Sequence, residues 1–193
     1  MKKSLLITLF LGTVLAMPFA ARAQGSYVGI NIGRATNNPG NVGAGAALLS
    51  RDETNTGFKV YGGIGFTRNW GAEVGYADLG KVNNVYRFGA TDTSLNYDTK
   101  SLYIAGTGTL PLNDQFSLFA KFGVTANRTS GGVSGPGLRF RGDSNKGSVM
   151  GGIGATYNFS KNLDMALEYE DFGKVDDGDA KARMWSVGMR YKF

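Results

Sequence analysis

Apolar and polar residues alternate along most of the chain after Ser26. The last ten residues, MWSVGMRYKF, show the pattern simply, because every second residue from Trp185 to Phe193 is apolar or aromatic. Strict alternation is typical of β-strands that present one apolar face. Eight such runs occur, each close to the roughly 9 to 11 residues that a tilted membrane-spanning strand needs. Their apolar positions fall within 28–32, 58–66, 70–76, 102–112, 116–124, 149–159, 163–169 and 185–193.

Short and long connections alternate between these runs. Tight turns are predicted at 67–69, 113–114 and 160–161. The other links are longer, polar and rich in Gly, Asn and Asp, and they cover about 34–56, 80–99, 128–145 and 173–181. When strands run up and down, this order gathers the tight turns at one end of the sheet and the long loops at the other. The sequence therefore predicts an all-β, eight-stranded antiparallel up-and-down barrel.

Two segments of the chain recur. GGIG at 62–65 returns at 151–154, and YADLGKV at 76–82 returns as YEDFGKV at 169–175. The spacing between the two segments differs by an even number between the copies, so every side chain keeps its face. This repetition predicts one hairpin used twice within the barrel.

Alternation alone does not decide which face of the strands points outward. A soluble barrel of the lipocalin type would enclose the apolar set around a ligand and expose the polar set to water. Here the polar set consists mostly of Gly, Ala and Ser, with one or two charges in each run. That composition suits the narrow lumen of an eight-stranded barrel better than a wet surface. The sequence therefore favours a transmembrane barrel with its apolar set in lipid.

The charges on the predicted lumen face balance in sign. Three basic and three acidic residues form the candidate ion-pair network: Lys59, Lys121, Arg190, Glu73, Glu168 and Glu170. Asp164 and Lys192 occupy the same face nearer the rim. An unpaired charge in a low-dielectric lumen costs several kcal/mol. We therefore expect a salt-bridged plug and not an open pore.

The aromatic residues of the outward face fall into two bands. One band lies beside the tight turns and contains Phe66, Trp70, Phe116, Tyr157, Phe159, Tyr191 and Phe193. The other band lies near the long loops and contains Tyr76, Tyr169 and Trp185. Two aromatic girdles are typical of transmembrane barrels, whose short turns face the periplasm. The last run is expected to pair with the first, near 27–33, because a free strand edge in hydrocarbon leaves backbone groups unsatisfied.

The beginning of the sequence indicates that the protein is exported. Residues 1–23 read as a signal peptide, with Lys2 and Lys3 before an apolar stretch and an Ala-Arg-Ala cleavage site, so residues 24–193 form the predicted barrel domain. Loss of the signal peptide lowers the net charge from +6 to +3, with 18 basic and 15 acidic residues remaining. This charge argues against nucleic-acid binding. The chain has no cysteine, and no later stretch approaches the roughly 18 consecutive apolar residues of a membrane helix.

The sequence offers little for catalysis. It contains no histidine, which excludes a Ser-His-Asp triad and a histidine metal site, although a Ser-Lys or acid-only site stays open. Glu168 and Glu170 share one face and could form a two-carboxylate site, but ion pairing in the lumen is the better interpretation. We expect no enzyme activity, no cofactor and no bound metal.

The chain resembles the transmembrane domain of the outer membrane protein A family of small eight-stranded barrels, which includes outer membrane protein X and opacity-type proteins. The resemblance rests on YVG at 27–29, AEVGY at 72–76, LND at 112–114, LEY at 167–169 and GMRYKF at 188–193. It implies that Trp185, Tyr191 and Phe193 belong to a carboxy-terminal signal read by the barrel assembly machinery. It also implies that Glu73 matches a gating glutamate and Lys121 a basic partner. Thr107, Thr156 and Ala166 depart from the family, which is charged at those positions.

The resemblance also implies a cell outer membrane location in a Gram-negative bacterium. The leading hypothesis is a structural barrel that supports envelope integrity, whose long loops contact a surface or host ligand. Outer membrane lipid and lipopolysaccharide are its expected partners. A narrow porin-like diffusion channel for ions or small solutes is the alternative hypothesis.

Overall fold

The computed structural model describes residues 25–38, 47–51, 54–88, 91–135, 138–175 and 180–193. Nine strands make up these residues: β1 Ser26–Asn38, β2 Ala47–Arg51, β3 Thr54–Gly65, β4 Trp70–Phe88, β5 Thr91–Pro111, β6 Phe116–Gly135, β7 Leu138–Asn158, β8 Leu163–Lys174 and β9 Lys181–Lys192. Within this part of the chain, no helix is long and apolar enough to cross a membrane. The signal peptide assigned to residues 1–23 lies outside the described residues and stays a prediction.

Eight of the strands close into an antiparallel barrel. The neighbours around the barrel are β1, β3, β4, β5, β6, β7, β8 and β9, and β9 pairs again with β1. β2 stands apart from this ring, and among the described residues its ladder partner is the far end of β4, where Ala47 lies opposite Arg87. The predicted eight-stranded up-and-down barrel is confirmed.

The seam between the first and last strands is long and regular. It runs from Tyr27 opposite Lys192 to Asn38 opposite Lys181. The Phe193 amide extends the ladder by donating a hydrogen bond to the Ser26 carbonyl over 2.9 Å. No edge of the ring is left open at this seam, as the alternation of the last run predicts.

The three tight turns share one chemical design. The second residue of each four-residue turn is Thr67, Asn113 or Ser160, and its side-chain oxygen accepts hydrogen bonds from the amides two and three residues later. These contacts are 2.7 to 3.3 Å long. Side chains of this type replace backbone partners in a turn. The local sequence therefore determines the geometry of the three short turns at this end of the barrel.

The strands run further than the sequence predicts. The segments 80–99 and 128–145 are expected to be loops, but their described residues, 80–88, 91–99, 128–135 and 138–145, continue the ladders instead. β4 pairs with β5 as far as Phe88 opposite Thr91, and β6 pairs with β7 as far as Gly135 opposite Leu138. Their Gly, Asn and Ser content suggested loops, but an antiparallel neighbour satisfies the backbone whatever the side chains are. A sheet of β2, β4, β5, β6 and β7 thus projects beyond the end of the barrel opposite the short turns.

The repeated segment forms the same bulge twice. Asp78 and Asp171 accept hydrogen bonds from the amides of Gly80 and Gly173 over 3.0 and 2.8 Å. Both glycines have positive φ, 76° and 69°, a conformation that other residues rarely adopt. The register shifts at each of these points. The DLG and DFG segments therefore encode a β-bulge near the mouth of the barrel.

The two faces of the strands separate as the alternation predicts. The exposed large apolar side chains lie on the outward face, and Phe122 is 70% exposed there. On the same strand, Lys121 is 3% exposed and points into the lumen. The outward apolar band is the surface that lipid would cover.

The seam depends on glycine, which leads to a test. A Cβ atom at Gly188 would overlap the Ile30 carbonyl and the backbone of Asn31, so we expect Gly188→Ala to lower the free energy of unfolding by about 1–3 kcal/mol, as overpacking does. Gly106→Ala is the matched control, because the nearest atom to its added Cβ would be 3.9 Å away. Urea unfolding in lipid vesicles measures both variants. Equal losses would contradict a tight seam.

Candidate functional site in the barrel lumen

The six charged residues of the predicted network come from five different strands. Lys59 lies on β3, Glu73 on β4, Lys121 on β6, Glu168 and Glu170 on β8, and Arg190 on β9. Each is on the inward face, and none is more than 8% exposed. The up-and-down topology brings these strands around a common axis, so residues distant in sequence meet in the lumen.

The structure joins all six residues into one ionic cluster. The Lys59 ammonium lies 2.5 Å from Glu168 and 2.7 Å from Glu170. Lys121 contacts the three glutamates, at 2.6 Å from Glu73, 2.7 Å from Glu168 and 3.2 Å from Glu170. Arg190 approaches Glu168 at 3.0 Å. Three positive and three negative charges thus compensate one another away from water, and Glu168 contacts all three cations.

Tyrosine and asparagine side chains complete the ionic cluster. Tyr27 and Tyr103 donate hydroxyl hydrogen bonds to the two oxygens of Glu73, over 2.8 and 2.7 Å. Tyr61 receives a hydrogen bond from Arg190 and donates one to Asn31, at 3.0 and 2.9 Å. Asn31 in turn donates to Glu168 over 3.2 Å. The sequence places these residues on the lumen face but gives no sign of their roles.

Glycines on the lumen face mark where the inward aromatic rings lie, although they do not mark the hydrogen-bond partners of those rings. Tyr27 lies directly opposite Gly63, Tyr61 opposite Gly29, and Tyr103 opposite Gly75. In each pair the aromatic ring covers the glycine, and an added Cβ atom would clash with it. Phe119 and Gly154 form a fourth pair of this kind. A glycine opposite an inward aromatic residue therefore makes room for the ring in a narrow lumen.

The three glutamates could in principle hold a cation. One oxygen from each of Glu73, Glu168 and Glu170 lies within 4.8 Å of the others. The Lys59 and Lys121 ammonium groups already contact these carboxylates, so two fixed cations stand where a metal ion would bind. The arrangement therefore favours charge compensation over metal binding.

A cavity of about 420 Å³ opens at the short-turn end of the lumen. We call it the vestibule; its wall includes Tyr27, Phe119, Thr156 and Arg190. Asp164 and Lys192, predicted to lie near the rim, also line it and approach to 2.6 Å. The vestibule therefore extends from the short turns to the Arg190 side of the ionic cluster.

Apolar side chains fill the lumen on the other side of the ionic cluster. This outer apolar layer consists of Ala35, Ala77, Leu79, Met150, Phe172, Val175, Ala182 and Met184. All are at most 3% exposed. From the alternation, the inward positions of these two strands are predicted to end at Ala77 and Glu170. Continuing the same alternation to Leu79 and Phe172 would have found the layer.

The aromatic residues of the last strand point outward. Trp185, Tyr191 and Phe193 are 58%, 49% and 69% exposed. Tyr191 and Phe193 pack edge to face with ring centroids 5.2 Å apart, beside the short turns. Trp185 packs against Tyr169 at 4.7 Å, in the opposite aromatic band. These positions suit the two interfaces of a membrane.

The barrel fold, with its apolar outer face and charged lumen, agrees with a comparison of the chain with known protein families. The family model for the outer membrane protein beta-barrel domain matches residues 6–193. The chain belongs to this family. It is therefore an outer membrane β-barrel, with a transmembrane barrel whose apolar face contacts lipid. No curated protein matches the chain.

Solved outer membrane barrels share this fold. Ail, the attachment invasion locus protein of Yersinia pestis, is 20% identical, with a TM-score of 0.54 over 87% of this chain and 99% of its own. Neisserial surface protein A is also 20% identical, with a TM-score of 0.55 over 90% of this chain and 100% of its own. OprG from Pseudomonas aeruginosa is 16% identical, with a TM-score of 0.55 over 90% of this chain and 98% of its own. Identities this low establish the fold alone.

The position of Glu168 within the ionic cluster predicts a large effect. Glu168→Gln removes the charge that Lys59, Lys121 and Arg190 share, and we expect a loss of about 3–5 kcal/mol in the free energy of unfolding, as for other broken buried pairs. Arg183→Gln is the control at an exposed ion pair, with Asp171, and should cost less than about 1 kcal/mol. Urea unfolding in vesicles measures both. A small loss for Glu168→Gln would mean that the ionic cluster does not stabilise the barrel.

Proposed function

We propose that this protein is a structural barrel of the outer membrane whose lumen is closed. The ionic cluster carries the proposal, since six nearly inaccessible charged groups are paired across the lumen. The outer apolar layer supports it further, because ions avoid a low-dielectric layer. The protein would contribute to envelope integrity through its lipid-facing wall and would perform no catalysis.

The projecting sheet supports a second part of the proposal, contact at the cell surface. Lys100, Arg128 and Arg183 lie on the outer wall beyond the second aromatic band, with about half of each side chain exposed. Each pairs with an aspartate (Asp98, Asp143 or Asp171), so this part of the wall offers charges of both signs to a polar ligand at the cell surface. The neighbour Ail is an attachment protein by name and was solved with a heparin analogue, sucrose octasulfate. By analogy, we propose that the loops and the projecting sheet contact a surface or host ligand.

The vestibule favours the alternative function, a narrow channel, because it already opens part of the lumen. Conductance across a planar lipid bilayer separates the two functions. We expect the wild-type protein to produce no stable openings, because the paired charges and the apolar layer close the path. Stable openings that change in size with Glu73→Ala or Lys121→Ala would contradict the closed barrel and support the channel.

The last strand suggests how the barrel is assembled. β9 must close the seam with β1, and its outward aromatic residues end at Phe193. We propose that Trp185, Tyr191 and Phe193 form the signal that the barrel assembly machinery reads, as in the outer membrane protein A family.

Phe193 and Phe66 provide a matched comparison for this signal. Both lie beside the short turns, and they are 69% and 62% exposed. Because only Phe193 lies in the proposed signal, Phe193→Ala should reduce the folded protein in the outer membrane several-fold, whereas Phe66→Ala should leave it close to wild type. Gel migration of unheated membrane samples measures the folded fraction. Equal reductions for the two variants would mean that Phe193 acts as an ordinary girdle residue.

A further inference from the structure

The end of β8 leaves its ladder with β7 and bends inward over the lumen face of β7, while Lys174 still pairs with Lys181 of β9. Its ladder with β7 ends where Gly151 lies opposite Asp171, and the bulge at Gly173 follows. Asn127 of β6 donates hydrogen bonds to the carbonyls of Phe172 and Lys174, both over 3.0 Å. β6 is not a neighbour of β8, because β7 lies between them. These bonds therefore pass over the inward face of β7.

Two further contacts hold this segment in place. The Thr129 hydroxyl of β6 donates to the Val175 carbonyl over 3.0 Å. The Ser148 hydroxyl of β7 donates to the Lys174 carbonyl over 2.6 Å. Inward side chains of β6 and β7 thus replace the β7 ladder partners that the segment loses after Asp171.

The same segment closes the outer apolar layer. Phe172 is fully buried and Val175 is 3% exposed. The Phe172 ring packs edge-on against Tyr103 at 6.2 Å, and Tyr103 binds Glu73 of the ionic cluster. The segment therefore lies directly over the ionic cluster on the side away from the vestibule.

We infer that Phe172–Val175 is a cap, the β8 cap, that seals the lumen from the extracellular side. Asn127 and Thr129 hold it shut. Water and small solutes then approach the ionic cluster from the vestibule only, so the lumen has one accessible side. This inference goes beyond a closed barrel, because it assigns the extracellular seal to a particular segment and its latch to two side chains.

Cysteine labelling tests the β8 cap directly, since the native chain contains no cysteine. Ala77→Cys places a thiol within the outer apolar layer, and Thr156→Cys places one in the vestibule wall. In detergent micelles, where both ends of the barrel meet solvent, a small charged methanethiosulfonate reagent should modify Thr156→Cys rapidly and Ala77→Cys slowly. Equal rates at the two positions would overturn the inference.

Removing the hydrogen bonds of Asn127 and Thr129 to the β8 cap should open the lumen on the cap side and leave the vestibule side unchanged. Asn127→Ala combined with Thr129→Val removes three hydrogen bonds to the cap. Labelling of Ala77→Cys should then accelerate at least about tenfold, as expected for the loss of bonds of ordinary strength. Labelling of Thr156→Cys should not change. Thr107→Val, a lumen threonine in the vestibule, is the control and should leave the Ala77→Cys rate unchanged. An unchanged Ala77→Cys rate in the latch variant would contradict the assignment of Asn127 and Thr129.

Hydrogen exchange of the wild-type protein gives a second measurement that needs no variant. The amides of Gly173 and Val175 bond to the Asp171 side chain and the Ala180 carbonyl, over 2.8 and 3.0 Å. If the cap stays shut, these amides should exchange at least about tenfold more slowly than an unstructured peptide. Exchange at the unstructured rate would show that the segment is open and would overturn the cap.

Discussion

The need to pair every backbone amide and carbonyl inside a lipid layer controls this structure. A sheet can meet that need only by closing on itself, and here β9 and β1 complete the ring from Tyr27 to Asn38. Gly188 permits the two strands to approach closely at the seam. Closure with eight strands then sets the width of the lumen, and that width determines which side chains the interior accepts.

A narrow, water-poor interior explains two otherwise separate features of the composition. Charged groups can remain there because Lys59, Lys121 and Arg190 meet three glutamates, and Glu168 links all three cations. Four bulky rings can remain there because a glycine lies opposite each of Tyr27, Tyr61, Tyr103 and Phe119. Four lumen glycines therefore make space for aromatic rings and do not serve as turn residues.

The sequence contains much of this architecture but not all of it. Alternation and the three tight turns predict the barrel. The balance of inward charges predicts which face of the strands points into the lumen and which residues share it. The projecting sheet was not predictable, because segments such as 128–135 and 138–145 have loop-like compositions and are held extended by their partner strands. The β8 cap was also hidden, since Asn127 reaches across a strand to bind carbonyls that no sequence pattern marks. Contacts between non-neighbouring strands do not produce a periodic pattern in the sequence, so alternation cannot predict them.

The duplicated bulge shows how context redirects a local motif. After Gly80, β4 continues beside β5 as far as Phe88, whereas after Gly173 the chain turns inward and β8 ends at Lys174. Both copies share the aspartate, the glycine and the lysine, so the available neighbours decide the outcome. A duplicated hairpin can in this way extend a strand of the barrel in one copy and form a cap over the lumen in the other. Such a barrel acquires an obstructed entrance without a separate plug domain.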